Sequence, residues 1–153
     1  MTAKETKLLK FIANSSQFVI PIYQRTYSWT EQECFQLWQD ILRAGANEKI
    51  GAHFIGSVVY VQDGNYSVSA QSSLLVIDGQ QRLTTVTLLL AALSDLLDDD
   101  QEIIEDFSKK KLTGRYLIDP FESGDKKYKL ILSQTDKDTL IALIDKSKVN
   151  FPK

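Results

Sequence analysis

An α+β domain is the fold class this sequence predicts: a small mixed β-sheet packed with several helices around one central apolar helix. Three observations predict it. The stretch from Leu83 to Leu97 is apolar on nearly every side, which marks a helix buried all round at the centre of a core. Short runs rich in β-branched and aromatic residues, such as Phe18-Val19-Ile20 and Phe54–Gln62, read as strands. Other segments carry apolar residues at helical spacing, so helices and strands alternate along a chain of 153 residues, the length of one ordinary domain.

Residues 4–16 read as a short amphipathic helix with Leu8, Leu9, Phe11 and Ile12 on its apolar side and Asn14-Ser15-Ser16 as a polar stop. Phe18-Val19-Ile20 is a strand that Pro21 ends or bends. In Pro21–Trp29 the rings of Tyr23, Tyr27 and Trp29 surround Gln24 and Arg25, and Tyr27 and Trp29 are expected to pin this loop to the core. Thr30 followed three residues later by Glu33 forms a capping box. The helix it opens places Cys34, Phe35, Trp38, Ile41, Leu42 and Gly45 on an expected buried face.

Phe54–Gln62 reads as a strand, Asp63-Gly64-Asn65 as a turn, Tyr66–Ser72 as a polar loop, and Ser73–Ile77 as the antiparallel return strand. The apolar helix follows and breaks at Asp98-Asp99-Asp100, because acid at a helix C-terminus opposes the helix dipole. Glu102–Leu112 is expected to be helical, with Gly114 as its stop. Tyr116–Ile118 and Tyr128–Leu132 read as short strands joined by a turn at Pro120–Gly124. Asp136 is expected to cap a last helix over Lys137–Lys146, with Leu140, Ile141, Leu143 and Ile144 inside. The lysines at 109–111, 126, 127 and 129 read as solvated faces.

Composition narrows the function classes. The chain is 43% hydrophobic and 25% charged, with net charge −2, so it has a real core and lacks the basic balance of a domain that holds DNA mainly through phosphates. Its single cysteine, Cys34, excludes an internal disulfide and a multi-cysteine metal site, and fits a cytoplasmic protein. Cys34 reads as a small core residue, and the lone histidine, His53, as structural or exposed. No signal peptide opens the chain, and the longest charge-free apolar helical run, Leu83–Ser94, is too short for a bilayer, which needs about 20 residues. No membrane is expected among the partners. The last residues, Asn150–Lys153, lack an obvious final element, so a longer natural chain is expected.

Chemistry concentrates in Val76–Thr87. A buried strand ends at Asp78-Gly79, turns sharply, and starts a helix whose first turn carries Gln80, Gln81 and Arg82. The free N–H groups at a helix start, together with the positive end of its dipole, favour an anion such as phosphate. Arg82 adds a permanent charge and a fork of donors, Gly79 allows close backbone approach, and Gln80 and Gln81 are neutral groups able to orient a phosphate or a water. Asp78 is suited to hold a metal-bound water, take a proton, or fix the loop. The alternative is a plain turn followed by a surface charge. No protein metal-ligand pattern is present, and neither a P-loop nor a dinucleotide fingerprint occurs.

Ile20–Trp29 (IPIYQRTYSW) and Val76–Thr85 (VIDGQQRLTT), with His53–Val59 (HFIGSVV) between them, resemble the N-terminal domain of GmrSD-type modification-dependent restriction proteins. That domain is regarded as a distant relative of the ParB/sulfiredoxin fold. The resemblance covers about residues 10–100 and is loose beyond them. It implies a nucleotide-binding domain of mixed α/β type. It carries Gly79, Gln80, Gln81, Arg82 and Thr84 over as a phosphate site together with Asp78. Tyr23, Gln24 and Arg25 are implied to complete a site that hydrolyses a nucleoside triphosphate, with Gln24, Arg25 and Asp78 in catalytic roles. Mg²⁺ is expected with the nucleotide on charge grounds. Modified DNA is an expected partner of the full-length protein, and a homo-oligomer is compatible with this reading. Family members usually add an HNH-type nuclease domain, which one histidine cannot supply here. Sulfiredoxin chemistry is excluded by the lack of cysteine in the DGQQR turn. Two rivals stay open: a non-catalytic DNA-binding or protein-interaction adaptor, and a ParB-like nuclease active in this domain.

Overall fold

The computed structural model describes residues 1–62 and 72–146. Its elements are α1 (Leu8–Asn14), β1 (Phe18–Val19), α2 (Glu31–Ala46), β2 (Val59–Gln62), β3 (Leu74–Asp78), α3 (Gln80–Leu96), α4 (Lys109–Leu112), β4 (Leu130–Ile131) and α5 (Gln134–Asp145). A π-helical turn, Thr113–Leu117, continues α4, and a 3₁₀ turn, Gly124–Lys127, precedes β4. This is the expected mixed α/β domain, with five α-helices and a small mixed sheet among the described residues.

The strand order is β2-β3-β1-β4. β1 lies parallel to both neighbours, with Phe18 opposite Leu74 on one side and Leu130 on the other. β2 runs antiparallel to β3, as the sequence predicts, with an irregularity in register between Val59 and Tyr60. Two residues of β1 suffice because Gln17 extends the join. Its buried amide donates to the carbonyls of Asp125 (2.7 Å) and Tyr128 (3.0 Å), and its backbone carbonyl accepts from Leu74 N–H at 2.9 Å. A buried amide with both ends occupied fixes register at little cost.

The core lies between this sheet and α3. Val76 is fully enclosed, and Phe18, Leu83, Leu112, Leu117 and Leu140 surround it in one buried cluster. Phe11 of α1 packs edge-on against Phe18 at 5.1 Å between ring centres. Thr84, Thr85 and Thr87 sit buried inside α3 because each hydroxyl donates back to the carbonyl four residues earlier, at 2.7–2.8 Å.

Several expectations change. α2 has no buried residue. Cys34, Leu37 and Ile41 are half-covered, whereas Phe35 is 63% exposed, Trp38 40% and Leu42 46%. The amphipathic pattern is real, but only its Cys34-Leu37-Ile41 edge rests on the body. The Phe54–Gln62 strand shrinks to β2, since residues 51–58 run as irregular chain beside the start of α3. The helix expected over Glu102–Leu112 starts only at Lys109, where Ser108 accepts from Lys111 N–H at 3.3 Å. Before it, Glu102 accepts from Asp106 N–H (2.7 Å) and Asp106 adopts φ +69°, which breaks the helical path. Gly114 does not stop that helix, and Tyr116–Ile118 is not a strand, because the π-helical turn runs through both; only Ile118 bridges to Tyr128. The last helix begins earlier, with Ser133 rather than Asp136 at its cap, and Leu143 is only partly covered, at 46% exposure. Lys129 departs from the solvated lysines: it is buried and donates to the carbonyls of Ser15 (2.6 Å) and Ala13 (3.3 Å) at the end of α1. Burial holds its ammonium below the usual lysine range. The turn at 63–65 and most of the Tyr66–Ser72 loop lie outside the described residues.

Candidate functional site

The three stretches singled out in the sequence meet at the start of α3. β3 delivers the chain to Asp78, and Gly79 reverses it into the helix with φ +94° and ψ 8°. A Cβ on Gly79 would lie 2.9 Å from the Ser57 carbonyl oxygen and 3.1 Å from a Val58 methyl, so the residue must be glycine for both conformation and space. No side chain caps the first turn. The positive end of a 17-residue helix is thus presented at Gln80–Arg82.

Each candidate side chain has a definite place. Gln24 donates its amide to the Ile77 carbonyl at 3.2 Å, and its oxygen receives the Gln80 amide at 3.4 Å. This ties the first motif to the third across the end of β3. Gln81 is buried and engaged at both ends: its oxygen accepts from Ser28 N–H at 2.8 Å, and its amide donates to the Thr26 carbonyl at 3.1 Å. Gln81 clamps the 20–29 loop onto α3. Thr84 is also buried, with its hydroxyl turned back to Gln80. Arg82 reaches the other way and donates to the Ser57 carbonyl at 3.3 Å. Gly56, at φ +114°, lies under it, and a Cβ there would be 2.5 Å from the guanidinium carbon. Asp78 is exposed at the strand end, Arg25 is exposed, and Tyr23 is 72% exposed.

Arg25, Gln80, Gln81 and Thr84 line a small cavity of about 10 Å³, room for a single water. Arg82 is not part of its wall. The structure therefore brings Gln24, Arg25, Gln80, Gln81 and Thr84 to one side of the first turn and sets Arg82 on another side, beside the 51–58 segment.

Further residues shape the place. Ser133 and Asp136, from the start of α5, also line the cavity, and Asp136 accepts from Tyr27 N–H at 2.7 Å. The Tyr27 hydroxyl sits between Thr85 Oγ1 (2.9 Å) and Cys34 Sγ (3.3 Å). Burial, then the neighbouring sulfur, pushes its phenol up to about 12. Gly56 and Ser57 cradle Arg82. Their signal was present in the GSVV run, whereas Asp136 was marked only as a helix cap and Ser133 not at all, both lying about fifty residues beyond the DGQQR turn. Among the described residues no group of three or more His, Cys, Asp or Glu side chains converges as a metal site. Among those residues, too, no helix is long and apolar enough to cross a membrane.

The molecule is thus a small mixed α/β domain in which three sequence stretches meet at the open start of the central helix. The chain belongs to the family described as GmrSD restriction endonuclease, N-terminal domain, whose model matches residues 6–153. It is accordingly a domain of the restriction-protein type. No curated protein matches the chain.

Proposed function

We propose that this domain binds a nucleoside triphosphate at the start of α3 and hydrolyses it, as the regulatory part of a modification-dependent restriction protein. We also take its fold to be a distant relative of the ParB/sulfiredoxin type. The observation that carries the reading is the convergence of the three motifs on an uncapped helix start with two arginines beside it. A cavity of about 10 Å³ does not enclose a nucleotide, so the phosphates rest across the helix start, with base and sugar outside it. Arg82 and Arg25 approach the phosphates from different sides of the turn and offset their charge. Gln24 and Gln80, already joined by a hydrogen bond, orient the attacking water. Gln81 and Thr84 act by holding the loop and the helix in place.

Asp78 is the carboxylate at the turn, and one carboxylate with substrate phosphates is the usual donor set for Mg²⁺, so the residues fit that ion. When bound, Mg²⁺ would neutralise phosphate charge. Modified DNA would reach the full-length protein elsewhere.

Nucleotide binding and turnover by the full-length protein test the proposal. Arg82→Ala removes charge-assisted hydrogen bonds worth about 1.5–3 kcal/mol, so affinity or turnover should fall at least about tenfold. Gln24→Ala should lower turnover more than binding. Unchanged binding and turnover in both variants would overturn the assignment. Salt-dependent DNA binding without nucleotide would favour an adaptor role instead.

A further inference from the structure

At the opposite end of α3 the molecule holds a larger cavity, of about 150 Å³, between the last turns of α3, the π-helical turn and the end of α5. A cavity of that size accepts a benzene-sized body. Ala91, Leu117, Leu143 and Ile144 supply apolar walls. Ser94 and Thr113 stand on the lining with their hydroxyl oxygens 3.0 Å apart. One hydrogen serves that bond, which leaves the hydrogen of the accepting hydroxyl for a further acceptor. The charged lining residues are Lys109, Lys146 and Asp95, a net charge of +1. Lys146 pairs with Asp95 at 3.0 Å, and Lys109 with Asp99, off the lining, at 3.3 Å. Both pairs are solvent-accessible, and exposed ion pairs are weak, so a ligand carboxylate competes for either lysine at small cost. π-helical turns widen the local backbone path and recur at ligand sites.

We infer that this cavity is a binding site for a small organic monoanion with an apolar body, typified by an aromatic carboxylate. The ring occupies the Leu117–Ile144 side, and the carboxylate meets a lysine and the spare hydroxyl hydrogen. The site stands about 17 Å along α3 from the proposed nucleotide site and does not depend on it.

The test is calorimetric titration of the full-length protein with benzoate, with benzyl alcohol and benzylamine as charge controls. Benzoate should bind saturably and at least about tenfold more tightly than benzylamine. Lys146→Ala should weaken it at least about fivefold. Leu143→Trp, a change at a part-exposed wall residue, should fill the cavity and abolish binding. Arg82→Ala should leave benzoate binding unchanged, which separates this site from the nucleotide site. Absence of saturable binding, equal binding of all three compounds, or binding that survives Leu143→Trp would each overturn the inference.

Discussion

At the residue scale, Gly79 and Gln81 carry the largest structural demands at the start of α3. Gly79→Ala would force a side chain into φ +94° and within 2.9 Å of the Ser57 carbonyl. Strain of that kind costs about 1–3 kcal/mol, and denaturant unfolding should show the loss as a lower midpoint. Gln81→Ala would remove the side-chain bonds to the Ser28 N–H and the Thr26 carbonyl. Thr26 and Ser28 are themselves exposed, so water can replace either partner, and each lost bond costs about 0.5–1.5 kcal/mol net. Hydrogen exchange at Ser28 should accelerate with the loss of stability; a residue that served only a ligand would change neither. Tyr128 gives a pH signature. Its hydroxyl donates to Asp145 at 2.5 Å, and that bond raises the phenol to about 12 from 10.0. The folded form therefore keeps its proton longer than the unfolded form. The stabilisation is complete below pH 10 and is lost as pH rises towards 12. Tyr128→Phe should remove this part of the alkaline decline, as read from melting temperatures across pH 9–12.

At the element scale, local signals were the legible ones. The capping box is a direct case: Glu33 accepts from the Thr30 N–H at 2.7 Å and from the Thr30 hydroxyl. Those bonds, the hydroxyl first, hold the Glu33 carboxyl below its usual range. Their support is present above that range and fades as pH falls through the lowered value. Thr30→Ala should therefore speed amide exchange in the first turn of α2 at neutral pH, with the difference from the parent narrowing in acid. The strand-turn-helix at Val76–Arg82 was equally readable, because a glycine turn between two apolar runs is a local pattern. The region 102–117 was not. Its sequence has helical composition, but Glu102 and Asp106 spend their hydrogen bonds on a turn and on Lys111, at 3.0 and 3.1 Å. The contributions of Ser133 and Asp136 were also hidden, since only the tertiary fold brings α5 to the loop around Tyr27. Gln81 was legible as a polar residue in the right place. Its two backbone partners are more than fifty residues away, so its role as a clamp was not.

At the scale of the whole molecule, the contrast between α2 and the core is the main departure from expectation. Periodicity states that a helix has an apolar face, but not what covers it. Phe35, Trp38 and Leu42 stay 40–63% exposed, while Val76 and Leu112 are enclosed. Phe35→Ser should accordingly change unfolding free energy by no more than about 0.5 kcal/mol. Leu112→Ala should cost about 2–5 kcal/mol. Comparable losses from the two substitutions would mean that α2 packs more tightly than this arrangement allows.

The position of β1 between β3 and β4 also has a consequence in time. Phe18 is made early, yet one of its two strand partners, Leu130, is among the last described residues to be synthesised. At roughly 5–20 residues per second, a ribosome separates the two by about 6–20 s. During that interval one edge of β1 has no strand beside it, and the Gln17 amide lacks the Asp125 and Tyr128 carbonyls that receive it. The nascent domain thus completes its sheet only when the chain near residue 131 clears the exit tunnel.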